Sequence, residues 1–198
     1  ARRQGVGFHG DAAGVGELIR VADQVGEHLL QTGGVADHHG RQGGVDVAPA
    51  LAELASESPR LLHGLAVAAN SFPTPLHAFG RLPKGEVDLK KTGLAPTVLL
   101  ARLYGLRAHS TAVSTDQRLA EAASVLGEEL SDRLRSGYAL LTDLRLRNQL
   151  RQIEQREYVT DRLDPDELPD DEHEALREAF RAIRSAQNVT SVTFRTDL

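Results

Sequence analysis

The sequence predicts an all-α protein, an antiparallel bundle of four to six helices preceded by a poorly defined, glycine-rich N-terminal segment. Three observations carry this prediction. Apolar residues make up 40% of the chain, yet five Phe, three Tyr and no Trp leave the core to Leu, Val and Ala, a palette that favours helices. Between residues 94 and 190 apolar positions recur at helical spacing, and helix start and stop signals separate the runs. Ahead of residue 65 glycine breaks that pattern: twelve of the 18 Gly and five of the eight His fall in residues 1–65.

At 198 residues the chain holds one ordinary domain, with or without an appendage, and excludes two full enzyme domains. It divides into a Gly/His-rich segment of uncertain order, 1–46, and a helical domain, 47–198. With 23 Lys and Arg against 28 Asp and Glu, the formal charge of −5 argues against a protein that coats nucleic acid, although local basic patches stay open. The lack of Cys excludes disulfides, thiolate zinc sites and a cysteine nucleophile. No run approaches the roughly 20 apolar residues of a membrane span, and the N-terminus lacks the apolar stretch of a secretory signal. The expected setting is therefore the cytoplasm, with no membrane partner. The chain begins Ala-Arg-Arg and contains no Met, so we expect a fragment of a longer protein.

Taken in order, residues 1–46 hold one helical stretch, 16–30, with Leu18, Val21, Val25 and Leu29 at helical spacing. Glycines at 26, 33, 34, 40, 43 and 44 interrupt this region, each costing about 1 kcal/mol relative to Ala in a helix interior. Asp46 before Pro49, and Ser58 before Pro59, are caps followed by a first-turn proline, which predicts short helices over 49–57 and 59–70. Residues 72–93 carry too many Pro and Gly for regular structure and read as a connection. A helix then starts at Pro96, and Val98, Leu99, Leu100, Leu103, Tyr104 and Leu106 cover almost its whole circumference, as in a helix buried on most sides. Ser114 and Gln117 form a capping box for a helix to Leu126, stopped by Gly127. The longest helix runs from about Ser131 to Glu157, about 38 Å at 1.5 Å per residue. Asp164 before Pro165, and Asp170 before an acidic turn, open the last helix, with Leu176, Phe180 and Ile183 as its stripe. Residues 189–194 either extend that helix or form a strand.

On the long helix Leu134, Tyr138 and Leu141 lie within about 60° of one another, and Arg145, Asn148, Gln149 and Gln152 continue their line. The core stripe turns polar halfway, while Leu146, Leu150 and Ile153 supply apolar contacts on another face. Buried polar groups need partners, so this continuation is a candidate binding surface. The competing reading is a rotated core face whose polar residues meet water. Arg102 raises the same question on the apolar helix. With Lys90 and Lys91 it would form a cationic pocket for phosphate or carboxylate oxygens, and otherwise an internal ion pair with Asp88 or Asp143.

The run Gly85-Glu-Val-Asp88-Leu-Lys90-Lys91-Thr-Gly93-Leu-Ala-Pro96 is followed by Leu100-Ala-Arg102-Leu-Tyr104-Gly-Leu106, then by Ser114-Thr115 and Arg118-Leu119. It resembles the C-terminal substrate-binding domain of bacterial nucleotidyltransferase-like signalling proteins, as do Leu144-Arg145 with Gln149, the Leu-Asp-Pro turn and the final helix. The resemblance spans about residues 65–195, and the run from Asp88 to Arg102 is its most specific part. It implies an all-helical accessory domain beside a catalytic domain similar to the one that uridylylates the nitrogen-regulatory P-II protein. Cyclic-nucleotide-binding or CBS modules lie further upstream in such proteins, and an acceptor protein is a further partner. Carried over position by position, Asp88, Lys90, Lys91, Arg102, Arg145 and Gln149 are the expected substrate-binding residues. Magnesium and a nucleoside triphosphate would belong to the catalytic domain, with no cofactor and no catalytic site in this fragment. The chain departs from the pattern upstream: nucleotidyl transfer needs carboxylates spaced for two metal ions and a glycine-serine loop, and residues 1–64 have neither. Either the catalytic half is missing or that region is not the native upstream sequence.

Other motifs carry less. Gly5, Gly7 and Gly10 match a dinucleotide fingerprint, but four residues leave no room for the strand that must feed it. Asp37-His38-His39 resembles a phosphoesterase metal triplet without supporting carboxylates in strand context. Asp164-Pro-Asp166 reads as a cap rather than a metal site. The alternative function is a non-catalytic interaction module without a small ligand, which predicts an exposed apolar stripe and internally neutralised arginines.

Overall fold

Serine and proline placement starts the helix over 59–70 where the sequence puts it. In the computed structural model, α1 runs Pro59–Asn70, with Pro59 in the first turn and the Ser58 hydroxyl accepting from Leu61 N. The described residues are 53–196, all within the second of two compact units, Ala1–Ala48 and Pro49–Leu198. The helical stretch expected over 16–30, the start of the helix expected over 49–57, and the Gly5 and His38 motifs lie outside them; residues 53–56 are helical.

The expected connection after α1 is largely irregular, with one 3-10 turn at Ala78–Gly80. Regular structure then begins earlier than predicted. Strand β1, Val87–Asp88, precedes a π turn, Lys90–Leu94, that runs straight into α2, Ala95–Arg107. A π turn is wider than an α turn, which relieves the clash between the Pro96 ring and the carbonyl four residues back. Within it Gly93 is buried against Leu141, where a Cβ would come within 2.9 Å of both methyl carbons. As its all-round apolar pattern predicts, α2 is the central helix, burying Leu99, Leu100, Ala101, Leu103 and Tyr104.

Ser114 caps α3, Thr115–Glu121, accepting from Gln117 N at 3.2 Å. The single helix expected up to Leu126 is broken at Ala122, and α4 covers Ala123–Leu126. Buried Ser131 donates its hydroxyl to the Leu119 carbonyl, which an unbroken helix would offer to Ala123 N. Gly127, at φ +94°, makes the turn into α5, Glu128–Glu154, which starts and ends about one turn earlier than predicted. Glu128 and Glu129 suit the positive end of the helix dipole, and Arg156 in the left-handed region closes the other end. Strand β2, Arg162–Leu163, pairs antiparallel with β1, Val87 opposite Leu163 and Asp88 opposite Arg162.

Asp164 caps a 3-10 turn, Pro165–Glu167, and α6 spans Asp170–Phe194, so residues 189–194 extend the helix. It packs antiparallel to α5: Arg147 pairs with Glu172, Gly137 sits against Ala179, and Arg133 reaches Glu178. The segment after α1 is pinned along α6 by Gln187, which donates to the Ala69 and Phe72 carbonyls, and by Arg184, which donates to Thr74 and Leu76. The core joins Leu89, Leu100, Leu103, Leu119, Leu134, Leu141, Leu144, Leu176, Phe180 and Ile183, all under 2% exposed. Among the described residues no helix is long and apolar enough to cross a membrane.

Candidate functional site

The polar continuation of the α5 stripe points inward. Asn148 and Gln152 are 5% and 6% exposed, whereas Leu146, Leu150 and Ile153, expected to make apolar contacts, are 50–59% exposed. The buried polar groups find partners on the chain that returns from α5 to β2. Arg145 Nε and Gln149 Nε2 both donate to Asp161 Oδ1, at 2.5 and 2.8 Å. Asn148 Nδ2 donates to the Arg162 carbonyl at 2.7 Å, and Gln152 exchanges two bonds with Thr160. This row of side chains clamps residues 160–162 onto α5.

Residues 160–162 in turn hold the start of the helical run that carries the lysines. Beyond the β1–β2 pair, Leu89 N donates to the Asp161 carbonyl at 2.9 Å. Asp88 Oδ1 accepts from Lys91 N at 2.8 Å and the Asp88 carbonyl accepts from the Thr92 hydroxyl, so one residue caps the π turn twice. Lys90 and Lys91 are exposed there, and with Lys84 they are all the lysines in the chain.

Five of the six expected residues, Asp88, Lys90, Lys91, Arg145 and Gln149, thus share one junction at one end of the bundle. Arg102 does not join them. It lies twelve residues on from Lys90, about 18 Å along the helix at 1.5 Å per residue, beside Arg118. Burial first, and then the Arg102 charge, push the Arg118 pKa down, while Arg118 Nε donates to the Ala112 carbonyl and its stem packs over Gly105. Asp143, one partner considered for Arg102, pairs with Arg147 on its own helix.

Sequence reasoning missed Asp161. It sits in a loop without periodicity, and the only signal was the need of Arg145 for a partner once its helix face is buried. Among the described residues no cluster of three or more His, Asp or Glu could hold a metal ion. A cavity of about 420 Å³ lies elsewhere, between the starts of α1 and the ends of α2 and α6, lined by Pro59, Leu62, His63, Arg107 and Phe194. None of the six expected residues lines it.

Fold and junction together give a helical domain that displays the exposed Lys90 and Lys91 on a capped turn. Residues 59–194, from the first residue of α1 to the last of α6, match the family described as "putative nucleotidyltransferase substrate binding domain", and the chain belongs to that family. No curated protein and no solved structure matches the chain.

Proposed function

We propose that this domain presents substrate to the catalytic domain of a nucleotidyltransferase, with Lys90 and Lys91 receiving an anionic group. The observation that carries the reading is the convergence of Asp88, Lys90 and Lys91 with the Arg145–Gln149–Asp161 cluster, within the segment matched by the family. Ammonium groups are point-charge receivers of phosphate oxygens. Asp88 holds the turn, Arg145 and Gln149 hold it from behind, and Arg102 offers a second cationic point further along the helix. Magnesium and the nucleoside triphosphate belong to the catalytic domain, and CBS or cyclic-nucleotide-binding modules and an acceptor protein complete a cytoplasmic signalling assembly.

The test is titration of the chain with a nucleoside triphosphate and with an acceptor protein of the P-II type. Lys90→Glu with Lys91→Glu should weaken binding by about tenfold or more, and Arg102→Ala and Arg145→Ala by less. Binding unchanged in all of these variants would overturn the reading.

A second reading, a docking module without a small ligand, draws support from two observations. Arg145 is neutralised by Asp161, and Leu146, Leu150 and Ile153 present half-exposed apolar surface. It expects association with the catalytic domain to be lost in Leu150→Glu and kept in Lys90→Glu.

A further inference from the structure

We infer that Asp161 is a positioning residue for the lysine-bearing turn, transmitting the geometry of α5 to Lys90 and Lys91 through its own side chain and backbone. The inference rests on the reading above for what the turn receives, but its geometry stands without it. Asp161 is used from both sides. Its carboxylate accepts from Arg145 and Gln149 on α5, and its carbonyl accepts from Leu89 N, one residue before Lys90. Leu89 is fully buried and cannot follow a shifted loop, and Asp88 beside it caps the Lys91 amide. The path from α5 to the lysines therefore runs Arg145, Asp161, Leu89, Lys90, with each non-covalent link 2.9 Å or shorter. The neighbours Thr160 and Arg162 are tied to Gln152 and Asn148, which keeps Asp161 from sliding along the helix. A carboxylate whose side chain is 22% exposed needs its charge matched, and a guanidinium matches it with fixed direction.

Electrostatics and positioning predict opposite signs. Asp161 is an acid near two lysines, so loss of its charge alone would strengthen anion binding. If it positions the turn, its loss weakens binding although the site becomes more positive.

The experiment uses the full chain as wild type, Asp161→Ala, Asp161→Asn and Gln149→Ala, with amide hydrogen exchange and titration with inorganic tripolyphosphate. Exchange at Leu89 and Lys91 should rise in Asp161→Ala by about tenfold more than exchange at the Ile183 amide of α6, which reports the loss of global stability. Tripolyphosphate binding should weaken by about fivefold or more in the same variant. Exchange at Leu89 and Lys91 that stays at the wild-type rate, or rises equally at Ile183, overturns the inference, as does tighter tripolyphosphate binding. If the wild type binds no tripolyphosphate, the proposed function fails while exchange still decides the positioning role. If Asp161→Ala does not fold, Asp161→Asn and Gln149→Ala carry the same comparison.

Discussion

The Arg145 guanidinium and the Asp161 carboxylate form a half-buried ion pair, 2.5 Å from Nε to Oδ1, with 34% and 22% of the two side chains exposed. An exposed pair would add little to stability, whereas one this enclosed leaves a desolvated charge behind when either partner is removed. Gln149 bonds the same carboxylate oxygen, so three residues act as one unit.

Arg145→Ala should therefore destabilise the fold by about 1–2 kcal/mol, the low end for charge-assisted bonds because a third of the side chain meets solvent. The double variant with Asp161→Ala should cost less than the sum of the two single changes. Urea denaturation of the four proteins measures both quantities, and strict additivity would break the coupling.

Two glycines should respond with opposite signs. A Cβ on Gly137 would lie 3.0 Å from Ala179 Cβ and 3.2 Å from its Cα, so Gly137→Ala has to push α5 from α6 and should cost about 1–3 kcal/mol. Gly64, inside α1, has nothing within 4 Å of that position, and Gly64→Ala should stabilise by up to about 1 kcal/mol. Thermal melts of both variants read the difference.

Tyr104 links stability to alkaline pH. Burial raises its pKa above the ordinary value of 10.0, against a smaller opposing effect of its bond to Thr190. The folded state thus holds the proton more tightly than the unfolded chain. The contribution is complete below pH 10 and is lost as pH rises through the raised value. Tyr104→Phe should remove this dependence and cost about 1 kcal/mol at neutral pH through the lost hydroxyl bond. Urea midpoints at neutral pH and at pH values above 10 give the comparison.

The two apolar faces of α5 should differ sharply. Leu144 is 1% exposed, and Leu144→Ala should cost about 2–5 kcal/mol. Leu150 is 50% exposed, and Leu150→Glu should change stability by no more than about 0.5 kcal/mol. A large loss in Leu150→Glu would mean that this face is covered in solution.

Local chemistry was the legible part of the fold. Ser58 with Pro59, Ser114 with Gln117, and Gly127 placed helix ends because caps and positive φ act over a few residues. The apolar circumference of α2 announced its central position for the same reason. The break at Ala122 was not legible, because Ser131 imposes it from elsewhere in the chain, whereas the π turn at Lys90–Leu94 has a local cause in Pro96 that the density of Pro and Gly over 72–93 obscured. The site was half readable. Periodicity put Arg145, Asn148, Gln149 and Gln152 on the core line, and they lie against the chain there. Their partners at 160–162 arrive by a loop whose path no periodicity encodes. The three outward leucine and isoleucine side chains ran against expectation, since the returning loop takes the inner face.

The two-residue pairing of Val87 with Leu163 and Asp88 with Arg162 joins points about 75 residues apart in the chain. So short a ladder cannot offset the entropy of closing so long a loop until the helices between have docked. The strand pairing beside the lysine turn accordingly depends on that docking, and a change that loosens α5 against α6 should loosen the cationic end with it.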